Sequence, residues 1–196
     1  MKRRTIVLLF GLVALTVIVA LVVTLVLRSQ PAAVEPPAEE RFGERAVELY
    51  FSNIQRDPDA VCDRVFAVER TVAADMPKVE AALRALLAGP SSEERALGYS
   101  SFFSSATAGA VRAVRTSGDT VYLDLRDSRE ALSGANSSCG SAALLAQLER
   151  TAAANGDYSR VIVAFDGDPE PFYEWLQIGC VPENEYCDAG PFERES

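Results

Sequence analysis

DMPKVEAALRALLAGP, residues 75–90, reads as one complete amphipathic helix together with its start and stop signals. Val79, Ala82, Leu83, Leu86 and Leu87 recur at three- and four-residue steps, which puts them on one stripe, and Lys78, Glu80 and Arg84 fall on the wet side. Asp75 and Pro77 suit the first turn, where an acidic side chain accepts orphan amide hydrogens and a proline loses no partner. Gly89 and Pro90 suit the end, because glycine takes the left-handed cap conformation and proline cannot continue the ladder. A helix this short buries its stripe only against other elements. Strand-like runs on both sides are the candidates.

Upstream, residues 46–52 alternate, with Val47, Leu49 and Phe51 on one face and Glu48 and Tyr50 on the other. Asp57-Pro58-Asp59 turns the chain into a second strand over residues 64–73. Downstream, residues 91–98 form one capped helical turn, and residues 99–109 form a serine-rich irregular loop. A hairpin follows, 110–116 and 120–126 around Ser117-Gly118-Asp119. Val121, Leu123 and Leu125 face inward there, with Tyr122, Asp124 and Arg126 outward. Residues 140–154 carry Leu144, Leu145, Leu148 and Ala152 at helical spacing and end at Asn155-Gly156. The run 160–166 is apolar on both faces, which predicts a strand in the middle of a sheet. Residues 170–178 carry Phe172, Trp175, Leu176 and Ile178 at helical spacing, ahead of a cysteine-bearing tail.

The N-terminus is of another kind. Residues 5–27 hold 23 uncharged residues, about 35 Å as a helix, enough to cross a hydrocarbon layer about 30 Å thick. Lys2, Arg3 and Arg4 precede the run and only Arg28 follows closely, so residues 1–4 are expected in the cytoplasm and 5–27 as a transmembrane anchor in the cytoplasmic membrane. The run exceeds a usual signal-peptide core and lacks a clear small-x-small cleavage site, which favours an uncleaved anchor. Residues 28–41, rich in Pro, Ala and Glu, make a linker, and 42–196 an extracytoplasmic domain. Of 19 basic residues four flank the run, leaving 15 against 28 acidic ones, a net −13 on the exported part. That excludes a nucleic-acid surface.

Four cysteines in an exported domain favour two disulfides over zinc, whose sites usually hold a pair two to four apart. The helix from Gly140 rises about 22 Å and the strand from Arg160 returns about 23 Å, which brings the region after that strand near Cys139. The pairing expected is Cys139 with Cys180 and Cys62 with Cys187. A local Cys180–Cys187 loop with Cys62–Cys139 is the competing scheme.

Chemistry is hard to find. The chain has no histidine, so Ser100, Ser101, Ser104 and Ser105 have no imidazole to serve as base. Asp166-Gly167-Asp168 lacks the further oxygens of a calcium loop and reads as a strand-ending turn. A hydrolase using Asp124, Asp127 or Asp166 would need paired carboxylates in distinct environments, which sequence does not identify. The expectation is a non-enzymatic protein without cofactor or metal. If both long helices cover the face bearing Val47, Leu49, Phe51, Val121, Leu123 and Leu125, the opposite face stays open. Tyr50 and Tyr122 lie on it among Glu48, Asp124 and Arg126, a composition enriched at interfaces and equally that of an ordinary solvated sheet face. Trp175 is the alternative contact, and with Tyr173 and the turn at Asp166 it would serve a binding module for a glycan or small ligand.

Several short pieces in order resemble a GerMN domain, a family named from spore-germination and sporulation proteins. They are Leu86-Leu87-Ala88-Gly89-Pro90, Val121-Tyr122-Leu123-Asp124-Leu125, residues 145–151, and residues 161–167 ending in Asp166-Gly167. A proline expected within 99–109 is absent, and the anchor and cysteines are not general to the family. The resemblance implies a membrane-tethered, non-enzymatic envelope module of α+β fold similar to ring-building motifs, working through an envelope protein partner or self-assembly. The architecture expected is one mixed sheet of about five strands with two main helices on one face.

Overall fold

The computed structural model describes residues 43–180 and 186–193. The apolar run 5–27 and the linker lie outside the described residues, and no described helix is long and apolar enough to cross a membrane. In chain order the elements are β1 (Glu44–Asn53), β2 (Phe66–Ala73), α1 (Lys78–Leu87), α2 (Ser92–Ala96), β3 (Tyr99–Ser100), β4 (Val111–Ser117), β5 (Thr120–Leu125), α3 (Ser138–Ala154), β6 (Arg160–Phe165) and α4 (Glu170–Trp175). A 3₁₀ turn, Gly190–Phe192, follows in the tail. The fold is α+β.

Helix α1 buries Val79, Ala82, Leu83, Leu86 and Leu87, as its spacing predicts. Its start differs: Pro77 occupies the N-cap position, without a side-chain cap bond, so Asp75 does not cap it. Gly89 ends it at φ +75°, with its amide on the Leu86 carbonyl. A Cβ there would stand 2.3 Å from the Phe103 carbonyl oxygen, so the position needs glycine for space as well as for φ. Ser91 and Glu94 then form a reciprocal capping box on α2.

The strands form two three-stranded sheets, ordered β2-β1-β3 and β4-β5-β6, rather than one sheet of about five. The reason lies at the β1 edge away from β2. There the Tyr50 amide donates to Thr151 Oγ1 (3.0 Å), the Glu48 amide to Asn155 Oδ1 (3.2 Å), and Asn155 Nδ2 donates back to the Glu48 carbonyl (2.7 Å). One face of α3 thus satisfies the backbone groups that a neighbouring strand would take, and the sheet stops. Only the two-residue β3 pairs farther along, at Ser52 and Asn53. Both sheets still feed one core, with Val47, Leu49 and Phe51 from β1 and Val121, Leu123 and Leu125 from β5.

β6 is a second correction. It is buried on both faces, yet among the described residues it is an edge strand, parallel to β5 and paired with no other strand. The Tyr173 hydroxyl of α4 accepts the Val163 amide (3.2 Å), and the Asp168 carbonyl accepts that of Phe165 (2.9 Å), so its free edge is closed by the chain that follows it. Burial pushes the Tyr173 hydroxyl pKa well up, which keeps it neutral for that bond.

Candidate functional site

The C-terminal ends of the parallel pair β5–β6 collect the charged side chains that the rival readings depend on. Asp124 is the penultimate residue of β5, and Asp166 follows β6 at φ +54°, left-handed and uncommon for a residue with a Cβ. Gly167 at φ +90° completes the turn. A register shift between Val111 and Ala113 makes Arg112 the extra residue of a bulge, the device by which strands re-aim a side chain. Its guanidinium sits 3.1 Å from Asp166 and 3.5 Å from the buried Asp124. Asp124 Oδ1 also accepts the Gly167 amide (2.9 Å), and Asp166 Oδ2 accepts that of Asp127 (3.3 Å). Asp127 is itself held by Arg129, whose hydrogen bonds bring its carboxyl below the usual range. This is a clasp of opposite charges that locks the strand ends. Among the described residues no cluster of three or more Asp, Glu, Cys or His could hold a metal ion.

The tyrosines expected on one open face lie on different sheets. Tyr50 of β1 is half-buried and donates to Glu48, a bond that, with burial, raises its own pKa. Tyr122 of β5 is covered. The tail returns over it, and Phe192, itself buried, meets its ring edge-on at 5.7 Å. Arg115 holds the turn there by donating to the Pro191 and Phe192 carbonyls (3.2 and 3.1 Å). Arg126 is exposed and donates to the Gly109 carbonyl. Trp175 is half-buried against Phe165 and Phe172, at ring separations of 5.9 and 6.2 Å. The Trp175 helix packs into the core and offers no open platform. Arg112, Arg115 and Phe192 escaped the sequence reading. A lone phenylalanine in the polar ending GPFERES was the available signal for the last, whereas a one-residue bulge leaves no mark in the alternation around Arg112.

The cysteines pair as Cys62–Cys139 and Cys180–Cys187, the competing scheme, against the expected Cys139–Cys180 and Cys62–Cys187. The lengths of α3 and β6 argued for the wrong pair because they ignored the β1–β2 loop. That loop folds back on the start of α3, anchored by the buried Asp57, which accepts from Arg64 (2.6 Å) and from the Val61 amide (2.8 Å). Cys62 lands with its Cα 4.9 Å from that of Cys139. A cleft of about 210 Å³ opens beside the bridge, rimmed by the exposed Ile54 and Val61.

A family model described as "Germane: Sporulation and spore germination" matches residues 48–171. The chain belongs to the Germane family. No curated protein and no solved structure matches it. Membership points to a role connected with sporulation or germination. The matched span of the Germane domain runs from the middle of β1 into α4, so it contains both sheets and the Arg112 clasp. Trp175, the Cys180–Cys187 bridge and Phe192 come after it, and Phe192 lies against Tyr122 of the second sheet.

Proposed function

We propose that this Germane protein is a non-enzymatic interaction or scaffolding module of the bacterial cell envelope, carried on a single membrane anchor over residues 5–27 with the domain outside the cytoplasm. The observation that carries the reading is the Arg112 clasp. The carboxylates that a hydrolase would use are each spent on an arginine or a backbone amide, so this charged cluster serves the fold. The lysine and arginine asymmetry around residues 5–27 supports the topology.

Affinity capture of the tagged full chain from intact envelope tests the function. A partner recovered in near-stoichiometric yield, and lost when the domain is thermally unfolded, is the expected result. A chain recovered alone from every envelope extract refutes the reading. Protease added to spheroplasts should digest the domain and leave a short N-terminal stub in the membrane; a mature protein beginning after residue 28 would show a cleaved signal instead.

A further inference from the structure

β2 is the outer strand of its sheet, and no other described strand pairs with its outward side. Glu48 and Tyr50 direct their amides at α3, so the intervening Val47, Leu49 and Phe51 direct theirs at β2. Opposite residues of an antiparallel pair share that sense. Arg70, Val68 and Phe66 therefore bond to β1, and Ala67, Glu69, Thr71 and Ala73 point their N–H and C=O groups away from the sheet. The Ala67 carbonyl accepts the Tyr99 hydroxyl (3.3 Å). The backbone groups of Glu69, Thr71 and Ala73 have no partner among the described residues.

Natural edge strands are usually blunted by charged side chains, inward-pointing charges, proline, a bulge or a short length. β2 has no lysine, proline or bulge, is eight residues long, and its register runs unbroken from Glu44 opposite Ala73 to Phe51 opposite Phe66; its charges are Glu69 on the outer face and Arg70 on the inner, the latter paired with Glu94. Its fixing is also firm. Arg70, on the inner side, donates to Glu94 and to the Ala85 and Gly89 carbonyls (3.1 and 2.8 Å), which ties the strand to α1 and α2.

On the outer face the charges beside the middle of this edge are both negative, and guanidinium groups stand only at its ends, Arg45 on the Ala74 carbonyl and Arg56 over the Phe66 ring. Glu69 stands opposite Glu48 on the outer face, where like charges repel. Of the outer-face neighbours, Ala46, Tyr50, Ala67, Thr71 and Ala73, none is basic. Arg150 acts on Tyr50 from α3, at the edge of β1 away from β2. A second copy of the chain, at net charge −9, would bring more carboxylate to a site that already has two in apposition.

We propose that β2 is a docking edge that takes up an extended, basic segment of a partner protein as an additional strand, with lysine or arginine at alternate positions facing Glu69 and Glu48. Main-chain bonds to Glu69, Thr71 and Ala73 hold the segment, and the apposed carboxylates select its charge. The proposal rests on the interaction reading above and names its surface.

Two peptides of eight residues test it on the full chain, one alternating lysine with valine and one alternating glutamate with valine. The lysine peptide should slow amide exchange at Glu69 and Thr71 by about tenfold or more. Its affinity should fall by about tenfold on Glu69→Lys, an exposed change that spares the fold, and fall again when those amides of the peptide that face β2 are N-methylated. Protection elsewhere on the domain, or equal binding of the glutamate peptide, overturns the proposal. So does sedimentation of the free chain as a dimer with Glu69 and Thr71 protected, since the occupant is then a second copy. Capture from envelope separates the two levels: a partner held equally by wild type and Glu69→Lys refutes the β2 edge and leaves the interaction reading standing, whereas no partner with either refutes that reading.

Discussion

Asn155→Ala should be among the most destabilising single substitutions outside the apolar core. Asn155 is 5% exposed, and its amide serves the Glu48 amide, the Glu48 carbonyl (2.7 Å) and the Thr151 carbonyl (2.8 Å) at once. Alanine leaves both main-chain groups of Glu48 facing a helix that has nothing to offer them. Each lost bond is worth about 1 kcal/mol net, and a desolvated group without a partner costs about 1–3 kcal/mol, so the loss should be about 2–4 kcal/mol. Thr151→Val keeps the shape and removes only the acceptor for the Tyr50 amide, for about 1–2 kcal/mol. The two side chains sit one turn apart and serve neighbouring positions of one strand, so the double variant should fall short of the sum. Urea denaturation reads the free energies, with the midpoint shifting at constant slope. Amide exchange at Glu48 and Tyr50 should accelerate in the same variants. A loss below about 0.5 kcal/mol for Asn155→Ala, with those two amides still protected, would mean that α3 does not terminate the first sheet in the manner described.

Arg70→Met should cost about 3–5 kcal/mol, because it strands Glu94 and the two helix-end carbonyls together, and adding Glu94→Gln should recover part of that loss in a thermal melt. Burial raises the Glu94 pKa, but the Arg70 bond, the Ser91 amide and the Arg70 charge outweigh it and the folded value lies below the usual 4.5. The Glu94 contribution should therefore be complete above the unfolded pKa and fade as pH falls through the folded one, a slope that Glu94→Gln abolishes. Replacing Cys62 and Cys139 by serine releases a 77-residue separation, worth about 4 kcal/mol by loop entropy, against about 2 kcal/mol for Cys180 and Cys187; guanidinium unfolding should rank them so. Tyr122→Ala should loosen the Phe192 turn and expose the tail to limited proteolysis, while Tyr50→Ala leaves the tail protected.

The elements legible in the sequence are those whose signals are local. The stripe from Val79 to Leu87, the alternation in β1 and β5, the Ser91 capping box and the glycine stop at Gly89 each depend on residues within a few positions of one another. Layout was not legible, since it turns on which element claims an edge. Asn155 reads as a helix terminator, and together with Thr151 it also closes β1; nothing in residues 138–155 states that a strand lies beside them. The same limit misplaced the tyrosines. Tyr50 and Tyr122 share a face only if β1 and β5 share a sheet, and the covering Phe192 is 70 residues beyond Tyr122 in the chain.

β6 states the limit most sharply. Val161, Ile162, Val163, Ala164 and Phe165 are all buried, yet a strand apolar on both faces is not thereby a central one. What such a composition reports is that both faces are covered, a matter of layers. Whether a strand has one neighbour or two concerns its backbone, and backbone groups are the same in every residue, so composition is silent about them. In this domain α3 and α4 pack against β6, and Tyr173 and Asp168 supply the bonds that a further strand would have made. β2 is the converse case: its alternation is that of a strand with one wet face, and no described strand pairs with its outer backbone.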